Sequence, residues 1–409
     1  MKSASADQNH SRFWWERGDL RYNENRLQLA GCDLASFADE AEMPLFVYSL
    51  ARIEEKLDLL RDALNATGCD NRIFYAMKAN RFTPILQMMA NSGKCGVDIC
   101  SPNEMQLALE CGFRPGHISF TGTGVTNRDL DRLCAHSGIM INCDTIGMIR
   151  RIGEREPGRS IGIRVNPAMG TGYGGSELLT YSGSRTTKFG IYREQWAEAL
   201  EVAKAYGLKV ETLHFHVGCG YLNRELESWA EAMRAACAFM TDLPDLKTVN
   251  VGGGLGLPHR KQDEALDLSR WCSILRSQFA GKGVAIAAEP GDFLVKDAGV
   301  LILSVTDVET KRDTLFIGVN GGFNLHPEPA FYDLPCEPAA CHLRSRGADD
   351  WKRATIAGNI NEALDLWGKD ILFPPMEEGD FLALINAGGY GSSMSSNHCM
   401  RGDFTEIAI

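Results

Sequence analysis

Short apolar, β-branched runs recur along the chain with amphipathic stretches between them. The runs are IFYAM (73–77), CGVDIC (95–100), HISFTG (117–122), IMINCD (139–144), IGIRVN (161–166), TLHFHV (212–217), TVNVGG (248–253) and VAIAAE (284–289). The gaps carry helical periodicity, as in FTPILQMMANSG, PNEMQLALECG, NRDLDRLCAHSG, REQWAEALEVAKAYG and LSRWCSILRSQF. Several of these stretches close on Gly, a common helix C-cap. Near-continuous apolar strands alternating with helices predict a parallel sheet covered on both faces. Eight such units predict an α/β fold, a (β/α)8 barrel, over residues 45–295. After residue 295 the pattern changes. VLILSVTDVE, TLFIGVN, RATIAG and DFLALINAG are strands separated by turns, which predicts a C-terminal antiparallel β domain over 296–409. LRYNENRLQLAG, within residues 1–44, also reads as strand material and is expected to join that domain.

Composition narrows the class without naming an activity. The 409 residues are 44% hydrophobic and 23% charged, as in ordinary globular proteins. A formal net charge of −11 argues against nucleic acid or an anionic membrane as partner. The first residues lack a signal-peptide core, and no apolar stretch is long enough to span a bilayer. Thirteen scattered cysteines, an odd number without a CxxC pair, read as reduced thiols in a cytoplasmic protein, with no metal expected.

The stretch FYAMKAN (74–80) carries the first chemical signal, because it sets Lys78 at the end of an apolar run. Burying an ammonium there costs several kcal/mol, of order, unless it is paired or neutralised. Barrel active sites lie at the C-terminal ends of the strands. The predicted strand ends bring Lys78, Asp98, Arg164 and His216 to one mouth, with the glycines 252–254 and then Glu289-Pro-Gly291. Glycines let backbone N–H groups approach an anion, and the loops after strands 7 and 8 of such barrels commonly bind phosphate. Amine, flat imidazole, carboxylate and phosphate cradle together fit pyridoxal 5′-phosphate, which needs a lysine for its aldehyde and a carboxylate for its ring nitrogen.

At this point the chain resembles the barrel-type pyridoxal-phosphate decarboxylases of the alanine racemase-like fold, and is most similar to the diaminopimelate decarboxylases. The motifs that carry the resemblance are YAMKAN, HVGCG, NVGGGLG, EPG, TTKFGI and NAGGYG. The resemblance implies that Lys78 bonds the aldehyde, His216 stacks on the ring and Glu289 meets the ring nitrogen. It implies that Arg164 faces the phenolic oxygen, while Gly253, Gly254, Gly291 and Tyr390 hold the phosphate. Cys219 stands where the family often has a phosphate-binding Ser. The resemblance further implies a homodimer with shared sites, acting on a small amino acid.

Several positions depart from the family pattern. In GNINEALD (358–365) Glu362 is kept, but Asn361 replaces the cysteine taken to protonate the carbanion left by decarboxylation. Cys336 and Cys399 are alternative donors, alongside Lys78 and His216. Asp292 follows EPG, and Glu328 precedes Pro-Ala-Phe-Tyr332, where the family carries arginines that handle substrate carboxylates. Asp292, Glu328, Tyr332 and Glu362 are therefore the expected substrate-binding residues, and a cationic or neutral distal group is expected in place of a carboxylate. Three alternatives stay open: diaminopimelate decarboxylation itself, a non-decarboxylating enzyme such as a racemase, and a pyridoxal-phosphate carrier.

Overall fold

The computed structural model describes residues 13–39, 43–183, 185–344 and 348–409. Eight parallel strands close into a barrel in chain order: Asn71–Ala76, Gly96–Ile99, Ile118–Thr121, Met140–Cys143, Ser160–Arg164, Lys209–His214, Thr248–Asn250 and Ala285–Ala288. The eighth returns to the first through Ile286↔Asn71 and Ala288↔Ile73, so the barrel has no free edge. Each strand coincides with one of the eight apolar runs. Val97, Ile99, Phe120, Ile141, Ile163, Leu213, Val249 and Ile286 are fully buried. Each such side chain contributes about 2 kcal/mol through loss of contact with water.

The intervening helices start and stop where local chemistry directs. Ser101, Thr126, Thr145 and Asp267 accept hydrogen bonds from backbone amides at helix N-termini. The helix Thr83–Ser92 ends on Gly93 at φ +62°, a left-handed conformation that glycine adopts without steric cost.

The C-terminal domain is built around the 13-residue strand Gly299–Lys311. It pairs antiparallel with Thr314–Val319, Phe381–Leu384 and Leu45–Tyr48. The expected antiparallel domain is present, with two parallel pairings added: Thr314–Val319 beside Lys352–Ala357, and Leu45–Tyr48 beside Thr405–Ala408. The boundary expected at residue 45 therefore falls inside this domain's sheet, and the barrel's own chain starts with the Ser49-capped helix Leu50–Asn65. Leu20–Asn23, Arg26–Leu29 and Cys32–Asp33 form a separate three-stranded sheet. It touches the larger sheet through the Arg26↔His342 bridge and the Leu27–Cys341 and Asn25–Leu343 backbone hydrogen bonds, each 2.8 Å. Local pattern marks these segments as strands; only long-range register decides which sheet they enter. Residues 1–12 and 40–42 of the expected N-terminal segment lie outside the described residues.

A buried ionic joint fastens the two domains. Asp297 accepts from Arg52 at 2.7 Å, lies 3.7 Å from Lys56, and its carbonyl accepts from Arg17 at 2.5 Å. Within the β domain, Asp365 shapes the loop that carries Asn361 and Glu362. Its carboxylate accepts from the amides of Phe323 and Ile360, each at 2.7 Å, and its own backbone binds Gly358. Asp365→Ala leaves two buried amides unpaired and should lower stability by about 3 kcal/mol. Urea unfolding checks this; a loss below about 0.5 kcal/mol would show the loop is held by other contacts.

Candidate active site

The chain after the first barrel strand turns at once. Met77–Ala79 is a single 3₁₀ turn, and Lys78 leaves it toward the barrel mouth with 41% of its side chain exposed. The ammonium sits at the end of the apolar run, where the sequence places it. It is paired: Lys78 Nζ donates to Asp98 Oδ2 at 3.0 Å, from the end of the second strand. Burial would depress this amine, but Cys100, Asp98, Tyr390 and Glu289 around it hold it well above its ordinary value.

Glu289 sits at the end of the eighth strand, buried between two partners from neighbouring strands. His214 Nε2 lies 2.9 Å from one carboxylate oxygen and Asn250 Nδ2 donates to the other at 2.7 Å. Burial alone would raise this carboxyl. The His214 ring and Lys78 outweigh it and bring Glu289 down to about 2, so it is ionised at any neutral pH. His214 and Asn250 were not picked out from the sequence. Their signal was available: both are polar residues at the ends of apolar strand runs, aimed at the same mouth as Glu289.

His216 follows His214 past the strand end. Its Nδ1 accepts from the Gly253 amide at 3.3 Å, its Nε2 is 3.6 Å from Cys219 Sγ, and Tyr181 lies against it at 5.1 Å. Burial first, then Arg164 and Lys78, lower its basicity well below the usual range, so the ring is a neutral flat surface. Arg164 is buried over Phe189 at 4.6 Å and 3.5 Å from Asp144. Burial pushes the Cys219 thiol up to about 12, which keeps it an un-ionised hydrogen-bond partner.

The glycines let the loops approach one another more closely than any side chain would allow, with their backbones turned to the barrel mouth. A Cβ at Gly253 would strike the Glu289 carbonyl, and one at Gly254, φ +91°, would strike the Gly218 carbonyl. At Gly291 a Cβ would come within 3.2 Å of the Tyr390 hydroxyl. Tyr390 itself is fixed by a 2.7 Å bond from its amide to the Ala79 carbonyl. These backbones and this hydroxyl meet beside Lys78 and Glu289, an arrangement that suits a phosphorylated aldehyde bearing a basic ring nitrogen.

Next to them lies a small pocket whose lining includes Tyr181, Cys219, Asp292, Glu328, Tyr332 and Tyr390. Asp292 and Glu328, far apart in sequence, meet there on one buried cation. Lys296 Nζ is 2.6 Å from Glu328 and 3.2 Å from Asp292. Counting acids in the sequence missed this lysine, because it sits in the apolar stretch DFLVKDAG with nothing local to mark it.

Not every expected site residue joins this group. Asn361 and Glu362 are exposed on the β domain, and among the described residues neither makes a hydrogen bond or ion pair with the Lys78 group; Glu362 is 3.7 Å from His398. Cys399 is exposed, and Cys336 lines a different pocket, with Trp15, Tyr22 and Trp351. Among the described residues no cluster of His, Cys, Asp or Glu could hold a metal ion, no helix is long and apolar enough to cross a membrane, and all thirteen cysteines are free thiols.

Residues 50–296 match the pyridoxal-binding domain of the pyridoxal-dependent decarboxylases. Diaminopimelate decarboxylase of Methanothermobacter thermautotrophicus is 31% identical over 407 residues, covering 96% of this chain and 92% of the relative. The enzyme of the same name from Streptomyces coelicolor is 31% identical over 401 residues, covering 93% and 88%. Among solved structures, Helicobacter pylori diaminopimelate decarboxylase complexed with L-lysine superposes with a TM-score of 0.83 at 25% identity, covering 92% and 94%. Fold, strand-end constellation and whole-length similarity agree: the chain belongs to the pyridoxal-dependent decarboxylase family and is a pyridoxal-phosphate-dependent carboxy-lyase.

Proposed function

We propose that this enzyme decarboxylates an α-amino acid whose distal group is cationic, such as lysine, ornithine or arginine. The observation that carries the proposal is the pocket beside Lys78: it presents two carboxylates, Asp292 and Glu328, that share the single ammonium of Lys296. At an effective dielectric near 20, one charge pair at 4 Å is worth roughly 4 kcal/mol. A site with excess negative charge therefore favours a distal ammonium and repels a distal carboxylate. The whole-length similarity to diaminopimelate decarboxylases supports a second reading, in which the dicarboxylate is accepted through other residues.

Pyridoxal phosphate, when bound, supplies the electron sink for the charge left on Cα as CO2 departs. The remaining work falls to the chain. Lys78 would bond the cofactor aldehyde, and its amine, steered by Asp98, is placed to carry a proton at the barrel mouth. Glu289, ionised and fixed by His214 and Asn250, would keep the ring nitrogen protonated. Neutral His216 would offer the ring a flat apolar surface, and Arg164 would meet its phenolic oxygen. Gly253, Gly254, Gly291, Tyr390 and the Cys219 thiol would hold the phosphate.

Asn361 cannot act as a general acid near neutral pH, so proton delivery to Cα passes to another group; Lys78 is the nearest candidate, and exposed Cys399, next to His398, is the alternative from a second subunit. Asn361 and Glu362 would reach the site from the second subunit of a homodimer. This is supported by exposed apolar side chains on the same face. Phe331 is 54% exposed, Leu364 52% and Met400 84%. Phe323 links that face, packing on both Phe331 and His398, with Glu362 next to His398.

Two outcomes test the site. Borohydride reduction of the holoenzyme should fix the cofactor on Lys78, read by peptide mass spectrometry; an adduct on another lysine, or none, refutes the assignment. Lys78→Ala should lose turnover by several orders of magnitude. For the substrate, lysine- or ornithine-like compounds should exceed meso-diaminopimelate in kcat/KM, with CO2 release as readout. A tenfold preference for diaminopimelate, about 1.4 kcal/mol, would establish the second reading instead.

The pH dependence has a defined sign. Burial and Asp292 raise Glu328 to about 7, against the pull of Lys296. Tyr332, Cys219, Tyr390 and neutral His259 also line this pocket. Protonated Glu328 binds a cation poorly, so a cationic ligand should tighten as pH rises from 6 to 8 and release a proton on binding. An uncharged analogue of equal length controls for titration of the shared α-amine. Equal pH profiles for the two ligands would show that Glu328 does not face the distal group.

A further inference from the structure

The Asp292–Lys296–Glu328 cluster lies at the seam between the domains. Asp292 begins the short helix Asp292–Val295 that follows the eighth barrel strand, and Lys296 caps it. Glu328 begins the helix Glu328–Tyr332 of the β domain. The Lys296 side chain is 1% exposed, so its ammonium is removed from water and must be compensated by protein groups. Asp292 and Glu328, both lining the pocket, are its two ion partners, and the Tyr390 ring lies 5.9 Å away. No second cation backs it up from the two imidazoles nearby. Burial first and Lys296 second depress His259 and His326 to about 3, so both are neutral. Lys296 is thus the cation against which the two pocket carboxylates are balanced, and once Glu328 is ionised, above about pH 7, they exceed it by one formal charge.

We propose that Lys296 is a specificity-determining residue that sets the charge of the distal subsite: it leaves the pocket one negative charge in excess, and it is a latent anion receptor held in check by Asp292 and Glu328. This rests on the pocket being the distal subsite of the decarboxylase. The consequence is a graded series. With both acids present the pocket selects a distal cation. With one acid neutralised, the remaining carboxylate and Lys296 cancel, and selection by charge disappears. With both neutralised, the buried ammonium is unpaired and its electrostatic demand falls on the ligand, so selection reverses toward a distal carboxylate. Were Lys296 only a structural strut, removing both acids would end discrimination without reversing it.

The test uses holoenzyme at pH 8, where Glu328 is ionised, and three product-like amines on the same five-methylene spacer: cadaverine with a distal ammonium, hexylamine with a methyl, and 6-aminohexanoate with a carboxylate. Inhibition constants and ligand-induced shifts in melting temperature are read in parallel, so a variant with weak turnover still reports. Wild type should bind cadaverine at least tenfold tighter than hexylamine, and 6-aminohexanoate weakest. In Asp292→Asn, which keeps the Lys296–Glu328 pair and so the best prospect of folding, the cadaverine advantage should fall at least tenfold. In Asp292→Asn/Glu328→Gln the order should reverse, with 6-aminohexanoate giving the largest thermal shift. Adding Lys296→Met to that double variant should erase the reversal. An undiminished cadaverine advantage in the single variant overturns the inference, as does a double variant that folds without reversing or a reversal that survives Lys296→Met. Wild type that favours 6-aminohexanoate overturns the cationic-substrate reading; if the double variant still gains carboxylate affinity that Lys296→Met removes, the role of Lys296 stands apart from it.

Discussion

A carboxylate buried at the mouth of a closed barrel and kept charged is the constraint around which this molecule is arranged. Glu289 could not be ionised there alone, since burial without partners drives a carboxyl to its neutral form. Three neighbours make the charge tolerable: the His214 ring, the Asn250 amide and the Lys78 ammonium. They come from the ends of the sixth, seventh and first strands, and Glu289 from the eighth. Only a parallel barrel of fixed register brings four strand ends from so far apart in sequence to one point, which is why strand closure is a chemical as well as an architectural requirement.

The same mouth is divided electrically. On one side lie Lys78, Asp98 and Glu289, beside the neutral His216 ring and the un-ionised Cys219 thiol, which add no charge. On the other side Asp292, Glu328 and Lys296 form a second charged group in the seam with the β domain. The two groups share one mouth but have separate partners, so the charge of one can be altered while the other stays in place. The 19%-identical arginine decarboxylase of Paramecium bursaria Chlorella virus shares the fold, with a TM-score of 0.81.

The barrel was legible because its signal is local and repeated: each strand is buried on both faces and so reads as an unbroken apolar run, such as IFYAM or TLHFHV. Lys78 and Glu289 were legible because a charge at the end of such a run is costly without a purpose. Lys296 was not, because its partners lie four and thirty-two positions away and its neighbours are apolar; the pairing exists only in three dimensions. The same holds for Leu45–Tyr48, a strand by pattern whose sheet is chosen by the distant Gly299–Lys311. Asn361 and Glu362 were legible as family positions, yet they lie exposed on the β domain, apart from the Lys78 group, because the motif marks the residues and not the surface they face.

In the proposed reaction, ionised Glu289 would keep a proton on the ring nitrogen of bound pyridoxal phosphate. Reconstituting the enzyme with pyridoxal phosphate labelled at that nitrogen with ¹⁵N, and recording its chemical shift, reads the protonation state directly. The wild-type enzyme should show a protonated ring nitrogen near neutral pH, and Glu289→Gln, with an amide in place of the carboxylate, should show it deprotonated. An unprotonated nitrogen in wild type, or the same protonated shift in both proteins, would contradict the account.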